Sequence, residues 1–530
     1  MSTSIYYLLC FVASCGISLL LTRYVRDFAV RKGWVKPPVL VRHIHQHAVP
    51  RLGGVAIFLS VMAVFVVTLL SAEGRAAVET EGARSILGLL GASTVILLLG
   101  IYDDLRGAGA SLKFGVQACA GAALYWSGFG VQHLGFLSGS EMLRTAIGLP
   151  LTIFWVLLIT NAFNLIDGLD GLAAGSAFFS TMVMFVISLL RGNAIVSIMT
   201  IVLAGAILGF LRYNSNPASI FLGDSGSLFV GFMLSALALA GSQKATTMVA
   251  VAIPVVALGL PILDVALAVA RRVIGAKPLF DGDHDHIHHK LLKRGLSQRA
   301  AVLVLYGATA GFGLLSVALL HGELTLALVL VAIAIGVVAG VQQLRYVEFS
   351  ELKAVLRGIF RNRIVANNVN LRRAAELLDM CNDRDAFCRI LQDTLQPLGF
   401  SGFRLENSNR HRLAEAMIVP LSYDAMGRMQ YCWVDGISAN PDWELRLQLT
   451  TNSGQHLGYL CLIQLRESRS QSFDLSVMTD GVRTSISDAL QRAMPQGQAR
   501  LETPHNNAAA ASQKEEGAEK PELRRAAHPE

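Results

Sequence analysis

The sequence has little charge for its length. Only 16% of its 530 residues are charged, whereas 53% are hydrophobic, and the mean hydropathy is +0.49. A soluble chain carries closer to a quarter charged residues. The apolar residues form blocks up to about residue 341, and about 20 apolar helical residues cross a hydrocarbon core of ~30 Å. The composition therefore predicts a polytopic membrane protein with a C-terminal extension.

Motifs of several other classes are absent. There is no GxxxxGK[ST] loop to support ATP hydrolysis. The seven cysteines lack CxxC spacing and predict no disulfide. The first block, 4–22, has no basic n-region and no cleavage pattern, so we interpret it as a retained span. The net charge of +7 does not indicate nucleic acid, because Lys and Arg in membrane proteins usually mark the cytoplasmic side.

The apolar blocks predict an all-α bundle of about eleven transmembrane helices. We place the spans near 4–22, 53–72, 86–102, 113–128, 146–162, 171–190, 194–211, 227–241, 247–270, 300–320 and 324–341. The loops 23–51 and 271–299 each hold seven Lys or Arg, which places both in the cytoplasm and the N-terminus outside. An odd number of spans then places the extension in the cytoplasm, and every polar motif falls on that side.

"YDDL" ends the third span with Asp103 and Asp104. Adjacent residues point apart on a helix, so we do not expect both carboxylates to contact the same atom. A carboxylate at a helix C-terminus opposes the macrodipole, and Lys113, at the start of the next span, would relieve that. A merely solvated helix end is the alternative.

"NAFNLIDGLDG" places Asn161, Asn164 and Asp167 at a spacing of three, along one flank of a helix. The glycines that follow let Asp170 fold back. Oxygen ligands without Cys or His suit a hard cation such as Mg²⁺. Simple capping of the span is the alternative.

"FLGDSGS" places Asp224 between glycines at the start of the eighth span. Glycine permits close backbone approach to a ligand, and helix N-termini suit phosphate. Because an anion is favoured at a helix N-terminus in any case, capping alone would also explain this residue.

"DGDHDHIHHKL" is rich in histidine and aspartate: His284, His286, His288, His289, Asp281, Asp283 and Asp285. A zinc site is one interpretation, although the i, i+4 helical spacing is missing. Phosphate recognition, aided by the following Lys290, Lys293 and Arg294, is a second. A histidine-rich solvated loop is the third.

The motifs "PRLGG" (50–54), "YDD", "NAFNLIDGLDGL", "NPASIFLGDSGS" and "HIHHKL" occur in the order and at about the spacing of a known family. Over residues 1–345 the chain resembles the polyprenyl-phosphate N-acetylhexosamine-1-phosphate transferases of glycosyltransferase family 4. The His-x-His-His form is more similar to the UDP-N-acetylglucosamine branch than to the muramoyl-pentapeptide translocase branch. The resemblance implies Mg²⁺-dependent transfer of N-acetylhexosamine 1-phosphate, with GlcNAc as the expected sugar, from a UDP-sugar to undecaprenyl phosphate. UMP would leave, and the product would start a surface polysaccharide or cell-wall glycan.

The resemblance also implies residue roles. Asn164 and Asp224 would hold Mg²⁺, with Mn²⁺ as a second candidate. Asp103 would deprotonate or orient the lipid phosphate, beside Asp104 and Lys113. The residues expected at the sugar nucleotide are Asp167, Asp170, Asn214, Phe221, His286, His288 and His289. Many members carry an arginine shortly before the histidines, where this chain reads "DGDHDH". Which residue here would contact the pyrophosphate is therefore open. The choice between direct attack and an aspartyl-phosphate intermediate is also open.

The expected setting is the bacterial plasma membrane, with the active site on the cytoplasmic side. The implied partners are a UDP-N-acetylhexosamine, undecaprenyl phosphate and the bilayer. Whether the chain forms a homodimer and whether a regulator binds the extension are open. A transporter, a membrane zinc hydrolase using the histidine cluster, and a membrane-tethered sensor are the alternatives.

The extension begins with a basic amphipathic linker, 346–368. Residues 369–494 predict a small cytoplasmic α/β domain, with two helices, four strand-like runs and a closing helix. The strand-like runs are 400–406, 429–435, 443–451 and 456–465. The order of elements loosely resembles GAF-like sensory modules, and both a regulatory and a purely structural role are open. The tail, 495–530, is rich in Ala, Glu and Pro and predicts disorder.

Overall fold

The computed structural model describes a defined set of residues. The ranges are 2–36, 49–131, 141–242, 248–274, 286–321, 323–343, 362–398, 400, 402–407, 417–420, 432–433, 443–450, 456–464, 482–493 and 523–525. Two compact units are present, one formed by 1–269 with 282–344 and the other by 270–281 with 345–530.

The first unit is helical, because an apolar chain in lipid must satisfy its backbone hydrogen bonds internally. Its helices are α1 (Thr3–Arg31), α2 (Gly53–Thr68), α3 (Ala72–Glu81), α4 (Ala83–Arg106), α5 (Ala110–Leu124), α6 (Glu141–Ile166), α7 (Leu172–Leu190), α8 (Ala194–Asn214), α9 (Gly223–Ser242), α10 (Met248–Ala257), α11 (Gly259–Ile274), α12 (Ile287–Lys293), α13 (Gln298–Ala318) and α14 (Glu323–Gln343). Strands β1 (Val35–Lys36) and β2 (Val49–Pro50) pair antiparallel.

Eight helices in the described residues are long and apolar enough to cross a membrane, so the chain is a multi-pass membrane protein. These helices are α1, α4, α6, α7, α8, α9, α13 and α14. A bent pair, α2 with α3, makes nine if it is one span, although the two helices turn by 98°. The predicted count of about eleven is therefore not confirmed.

Two predicted spans are interrupted by identifiable residues. In the block 113–128, α5 ends at Leu124, and the π-helical turn that follows contains Gly128 at φ 103°. In the block 247–270, α10 and α11 separate at Leu258, three residues before Pro261. Proline removes a backbone donor and crowds the preceding turn, so the continuous apolar run does not become one continuous helix.

The centre of the bundle is formed by α8 and α9. Their apolar windows are 83% and 89% buried, whereas that of α14 is 6% buried. Helix α1 packs against α8, and Gly205 and Gly209 on α8 set the distance between them. A Cβ added at these glycines would overlap the carbonyl oxygens of Phe11 and Cys15. Small residues four apart allow such close helix packing in membranes.

The extension folds around its own apolar core. Its helices are α15 (Asn362–Asp379), α16 (Arg384–Leu395) and α17 (Arg483–Ala493), and its strands are β3 (Gly402–Asn407), β4 (Met417–Pro420), β5 (Cys432–Trp433), β6 (Trp443–Thr450), β7 (His456–Gln464) and β8 (Leu523–Arg525). The strands form one antiparallel sheet in the order β5-β4-β3-β7-β6-β8.

Three of these strands, β5, β6 and β7, lie within the predicted strand-like runs, and β3 overlaps a fourth run and ends one residue beyond it. Strand β4 was not predicted. Within the tail that we predict to be disordered, Leu523–Arg525 pairs with β6 as β8. Most of the linker 346–368 and the rest of the tail lie outside the described residues.

Candidate functional site

Four helix ends meet at one end of the bundle, and each carries a polar side chain there. Asp103 and Asp104 lie at the end of α4, Lys113 near the start of α5, Asn164 near the end of α6, and Asp224 at the start of α9. Contacts among these five side chains and their backbones join the four ends into one site. Asp104 and Asp224, 120 positions apart in the sequence, are neighbours here.

The start of α9 is held close to α2 and α4 by glycines. A Cβ added at Gly54 would overlap the backbone of Gly226, and one added at Gly100 would overlap the backbone of Ser225. The segment before α9 also pairs with the "PRLGG" motif: the Phe221 amide donates to the Pro50 carbonyl oxygen at 2.8 Å. The motif therefore positions the helix that carries Asp224.

The carboxylate of Asp104 completes this arrangement. Its two oxygens accept hydrogen bonds from the backbone amides of Asp224 and Ser225, both at 2.9 Å. The first amides of a helix have no partner within the helix, so a carboxylate from α4 satisfies two of them. Asp104 thus fixes the N-terminus of α9 rather than facing a ligand directly.

Asp103 contacts different groups. It accepts a hydrogen bond from the Ala108 amide at 2.7 Å and forms an ion pair with Lys113, the cation expected to relieve it. The Lys113 Nζ atom also lies 3.9 Å from Oδ2 of Asp224. The lysine therefore lies between two carboxylates and places a positive charge beside both of them.

Asn164 and Asp224, the residues assigned to the metal, are in direct contact. The Asn164 amide nitrogen donates to Oδ1 of Asp224 and, at 2.9 Å, to Oγ of Ser227. Exchanging the nitrogen and oxygen of this amide is a χ2 rotation, which would bring a carbonyl oxygen to the same place. The Asp224 side chain is 29% exposed, so its carboxylate remains accessible.

This set of donors fits a hard cation better than zinc. Within the described ranges, no three His, Cys, Asp or Glu side chains are grouped to hold a metal. Mg²⁺ is usually bound by one or two carboxylates and completes its shell with water and substrate phosphate oxygens. A carboxylate and an amide oxygen meet that requirement.

Asp167 lies just after α6 and remains partly exposed. Loss of hydration in this crowded site raises the pKa of Asp167 to about 8, and the negative charges of Asp224 and Asp104 contribute to the rise. The positive charge of Arg51 opposes it. Asp167 therefore carries a proton at neutral pH unless a cation enters the site.

Asp170 is engaged with the loop before α9. Its Oδ2 atom accepts hydrogen bonds from the Asn216 side chain at 3.0 Å and from the Ala218 amide at 3.1 Å. Since Asp170 is 7% exposed, its part in the pocket is to hold this loop. Asn161 points elsewhere, because its amide donates to Gln117 on α5 at 2.6 Å.

Asn214 is the last residue of α8, and Phe221 lies in the loop that follows it. The Asn214 amide is buried and donates to the Ile220 carbonyl oxygen at 3.0 Å, so this side chain maintains the shape of the loop. Phe221 is half-buried, which leaves part of its surface accessible for stacking on a planar base.

His288, on α12, lies against the "DGLDG" loop. Gly168 follows Asp167 in the sequence, and a Cβ added at Gly168 would overlap Nε2 of His288. The rings of His286 and His288 are parallel with centroids 5.8 Å apart, and His289 lies 4.2 Å from His288. Burial and the neighbouring histidines lower the pKa of His288 to about 4, so this ring is neutral at physiological pH.

His284, Asp281, Asp283 and Asp285 lie outside the described residues. Two residues near the site were missed by the sequence analysis. Asp264, on α11, contacts His286 at 2.8 Å. The sequence could have indicated Asp264, because it is a lone carboxylate inside the apolar block 247–270.

Arg51 is the second missed residue. It is exposed, and its charge acts on Asp167. The sequence could have indicated Arg51, because it is the basic residue of the "PRLGG" motif.

Comparisons with known proteins point to one family. The family model described as "Glycosyl transferase family 4" matches residues 86–242. The chain is 35% identical over 61% of its length to the "Probable undecaprenyl-phosphate N-acetylglucosaminyl 1-phosphate transferase" of Bacillus subtilis, covering 88% of that protein. It is 36% identical to the "Decaprenyl-phosphate N-acetylglucosaminephosphotransferase" of Mycobacterium tuberculosis, covering 62% of this chain and 86% of that one. The "Undecaprenyl-phosphate alpha-N-acetylglucosaminyl 1-phosphate transferase" of Escherichia coli is 27% identical, over 54% and 77% of the two chains.

Proposed function

Since the chain belongs to glycosyl transferase family 4 and is a multi-pass membrane transferase, we propose that it transfers N-acetylglucosamine 1-phosphate from UDP-GlcNAc to undecaprenyl phosphate. The reaction depends on Mg²⁺ and releases UMP. The lipid-linked product starts a surface polysaccharide or a cell-wall glycan. The single observation that carries the proposal is the convergence of Asp103, Lys113, Asn164 and Asp224 at one end of four helices.

The position of the site suits two substrates from different phases. The acceptor lies in the bilayer and the donor in water, so the reacting groups must meet where membrane helices end. Carboxylates are tolerated in such a place because they face a polar site and not lipid. We place this end of the bundle, with the extension, on the cytoplasmic side of the bacterial plasma membrane, as the Lys and Arg distribution predicts.

The chemistry is an exchange at phosphorus. An oxygen of the lipid phosphate forms a bond to the phosphorus that carries the sugar, and the bond from that phosphorus to the bridging oxygen breaks. The bridging oxygen leaves on UMP. Asp103 orients the lipid phosphate, while Lys113 offsets the negative charge that accumulates as the phosphates approach each other. Positioning and charge neutralisation provide most of the catalysis in phosphoryl transfer.

Asn164 and Asp224 would hold the metal, which supplies Lewis-acid stabilisation of the diphosphate when bound. Asp104 keeps Asp224 in place through the amides of α9. Asp170 and Asn214 shape the loop that faces the nucleotide, and Phe221 offers its ring to uracil. Mn²⁺, which accepts the same oxygen donors, is a second candidate metal.

The experiment uses purified protein, Mg²⁺, UDP-GlcNAc and undecaprenyl phosphate, and it measures UMP and lipid-linked sugar. Asp224→Asn is expected to lower turnover at least about 100-fold, as is usual when a charge that stabilises the transition state is removed. Asp27→Asn, which removes a carboxylate paired with Arg26 on α1, is the matched control and is expected to retain activity.

UMP release without lipid-linked sugar would contradict transfer. Release of UMP only with another UDP-sugar would retain the reaction class and replace the donor. A transporter would carry UDP-GlcNAc across sealed vesicles without producing UMP, which would overturn the enzyme assignment.

A further inference from the structure

Asp264 on α11 uses both carboxylate oxygens on the histidine motif. Oδ2 lies 2.8 Å from Nδ1 of His286, and Oδ1 accepts the backbone amide of Ile287 at 2.9 Å. The side chains of Asp264 and His286 are both almost completely buried. One carboxylate therefore holds both the ring of His286 and the backbone of Ile287, the first residue of α12.

The amide contact explains how α12 is anchored. The helix has only seven residues, and the side chain of its N-cap residue, His286, makes no capping hydrogen bond. Asp264 satisfies a free amide at this N-terminus from a different helix, in the way that a local capping carboxylate would. The start of α12 is consequently tied to α11.

The ring contact determines where the proton of His286 resides. An ionised carboxylate only accepts hydrogen bonds, so Nδ1 of His286 must carry a hydrogen. Nε2 is then the ring atom left to meet another group. The parallel ring of His288, 5.8 Å away, packs against the loop that carries Asp167, which connects this pair to the candidate active site.

We propose that Asp264 is a positioning residue: it fixes the orientation and the Nδ1–H tautomer of His286 so that Nε2 meets the phosphate oxygens of the nucleotide-sugar donor. This inference rests on the proposed function for the identity of the donor. The Asp264–His286–Ile287 arrangement itself is independent of that assignment.

The substitution Asp264→Asn keeps the shape of the side chain but is expected to change only one of its two contacts, the one with His286. The Ile287 amide needs an oxygen, so the asparagine oxygen stays there and its NH₂ group faces Nδ1 of His286. Nδ1 must then accept a hydrogen bond, and the proton moves to Nε2. The helix anchor survives while the tautomer is reversed.

The first measurement is a double-mutant cycle in the transfer assay. His286→Asn keeps an NH₂ group for Asp264 but removes Nε2. Asp264→Asn is expected to lower kcat/KM at least about tenfold and to raise KM for the UDP-sugar but not for the lipid phosphate. The double variant is expected to be no worse than His286→Asn alone, because Asp264 acts through His286. Losses that add would show an independent structural role and overturn the proposal.

The second measurement does not depend on activity. Solid-state ¹⁵N spectra of histidine-labelled protein, with His286→Asn identifying the signal, report which ring nitrogen is protonated. The wild-type protein is expected to show protonated Nδ1, and Asp264→Asn protonated Nε2. The same tautomer in both proteins would overturn the inference, even if Asp264→Asn were poorly folded in the assay. A wild-type protein that shows the Nδ1–H tautomer yet transfers no sugar phosphate would refute the proposed function and leave the positioning contact intact.

Discussion

Asp103 and Asp104 are adjacent in the sequence but have different partners. Asp103 is paired with Lys113, whereas Asp104 accepts the first two amides of α9. Neighbouring side chains on a helix point about 100° apart, so each carboxylate meets a different neighbour. Asp103 thus meets the cation at the start of α5, while Asp104 holds the helix that carries Asp224.

Asp167 makes the stability of the protein depend on pH. The folded protein keeps the proton on this carboxyl up to a pKa of about 8, whereas the unfolded chain loses it near its ordinary value. Between these values the unfolded state binds fewer protons, so stability falls as pH rises.

Asp167→Asn removes this dependence, because an amide has no proton to lose. Without metal or substrate, the variant is expected to melt at a higher temperature than the wild type, by a margin that grows from pH 5 to pH 8.5. Thermal unfolding in detergent with EDTA measures it, and Asp27→Asn controls for loss of a carboxylate elsewhere. A margin that stays constant or shrinks as pH rises would contradict the prediction.

At the scale of the elements, the start of α9 is the feature on which the site depends. It carries Asp224, an anion at the favourable positive end of a helix. Gly54 and Gly100 leave no room for a side chain against its backbone. The same contact therefore sets helix packing and the position of the proposed metal ligand.

A pair of glycines on α4 tests this point. Gly100→Ala places a methyl group into the backbone of Ser225, and overpacking of this kind costs about 1–3 kcal/mol. We expect a lower melting temperature together with reduced transfer. Gly91→Ala is the matched control: it lies on the same helix with nothing within 4 Å of the added atom. Equal effects of the two substitutions would refute the packing argument.

For the molecule as a whole, the central prediction concerns orientation in the membrane. Ser111, near the site at the start of α5, and Ala194, at the start of α8, are both exposed. The chain enters α8 at Ala194 and reaches the loop of the site at Asn214, so Ala194 lies at the opposite end of the bundle.

The test introduces Ser111→Cys or Ala194→Cys into a chain whose native cysteines are replaced by alanine. A membrane-impermeant maleimide added to intact cells is expected to label the Ala194→Cys protein only, and the Ser111→Cys protein only after lysis. The opposite pattern would invert the topology derived from the Lys and Arg counts. It would also place the site away from a cytosolic UDP-sugar.

Much of the candidate site could be predicted because its motifs are local. The spacing in "NAFNLIDGLDG" placed Asn164 on a helix end, and "FLGDSGS" placed Asp224 at a helix start. The number of spans was less predictable, because hydropathy does not register the bend after α2 or the break before Pro261. The roles of Asp104, Asp170 and Asn214 as supports of a loop and a helix end depend on partners from other helices.

The sequence by itself determined that the chain crosses a membrane and which residue types are available for phosphoryl transfer. Both follow from composition and short spacing, which act over one or two turns of helix. Only the tertiary structure decided which carboxylate faces which partner, that glycines of α2 and α4 admit the start of α9, and that Asp264 holds His286. These contacts join positions far apart in the chain, and their geometry arises only when helices pack, because no local pattern encodes the distance between two helices.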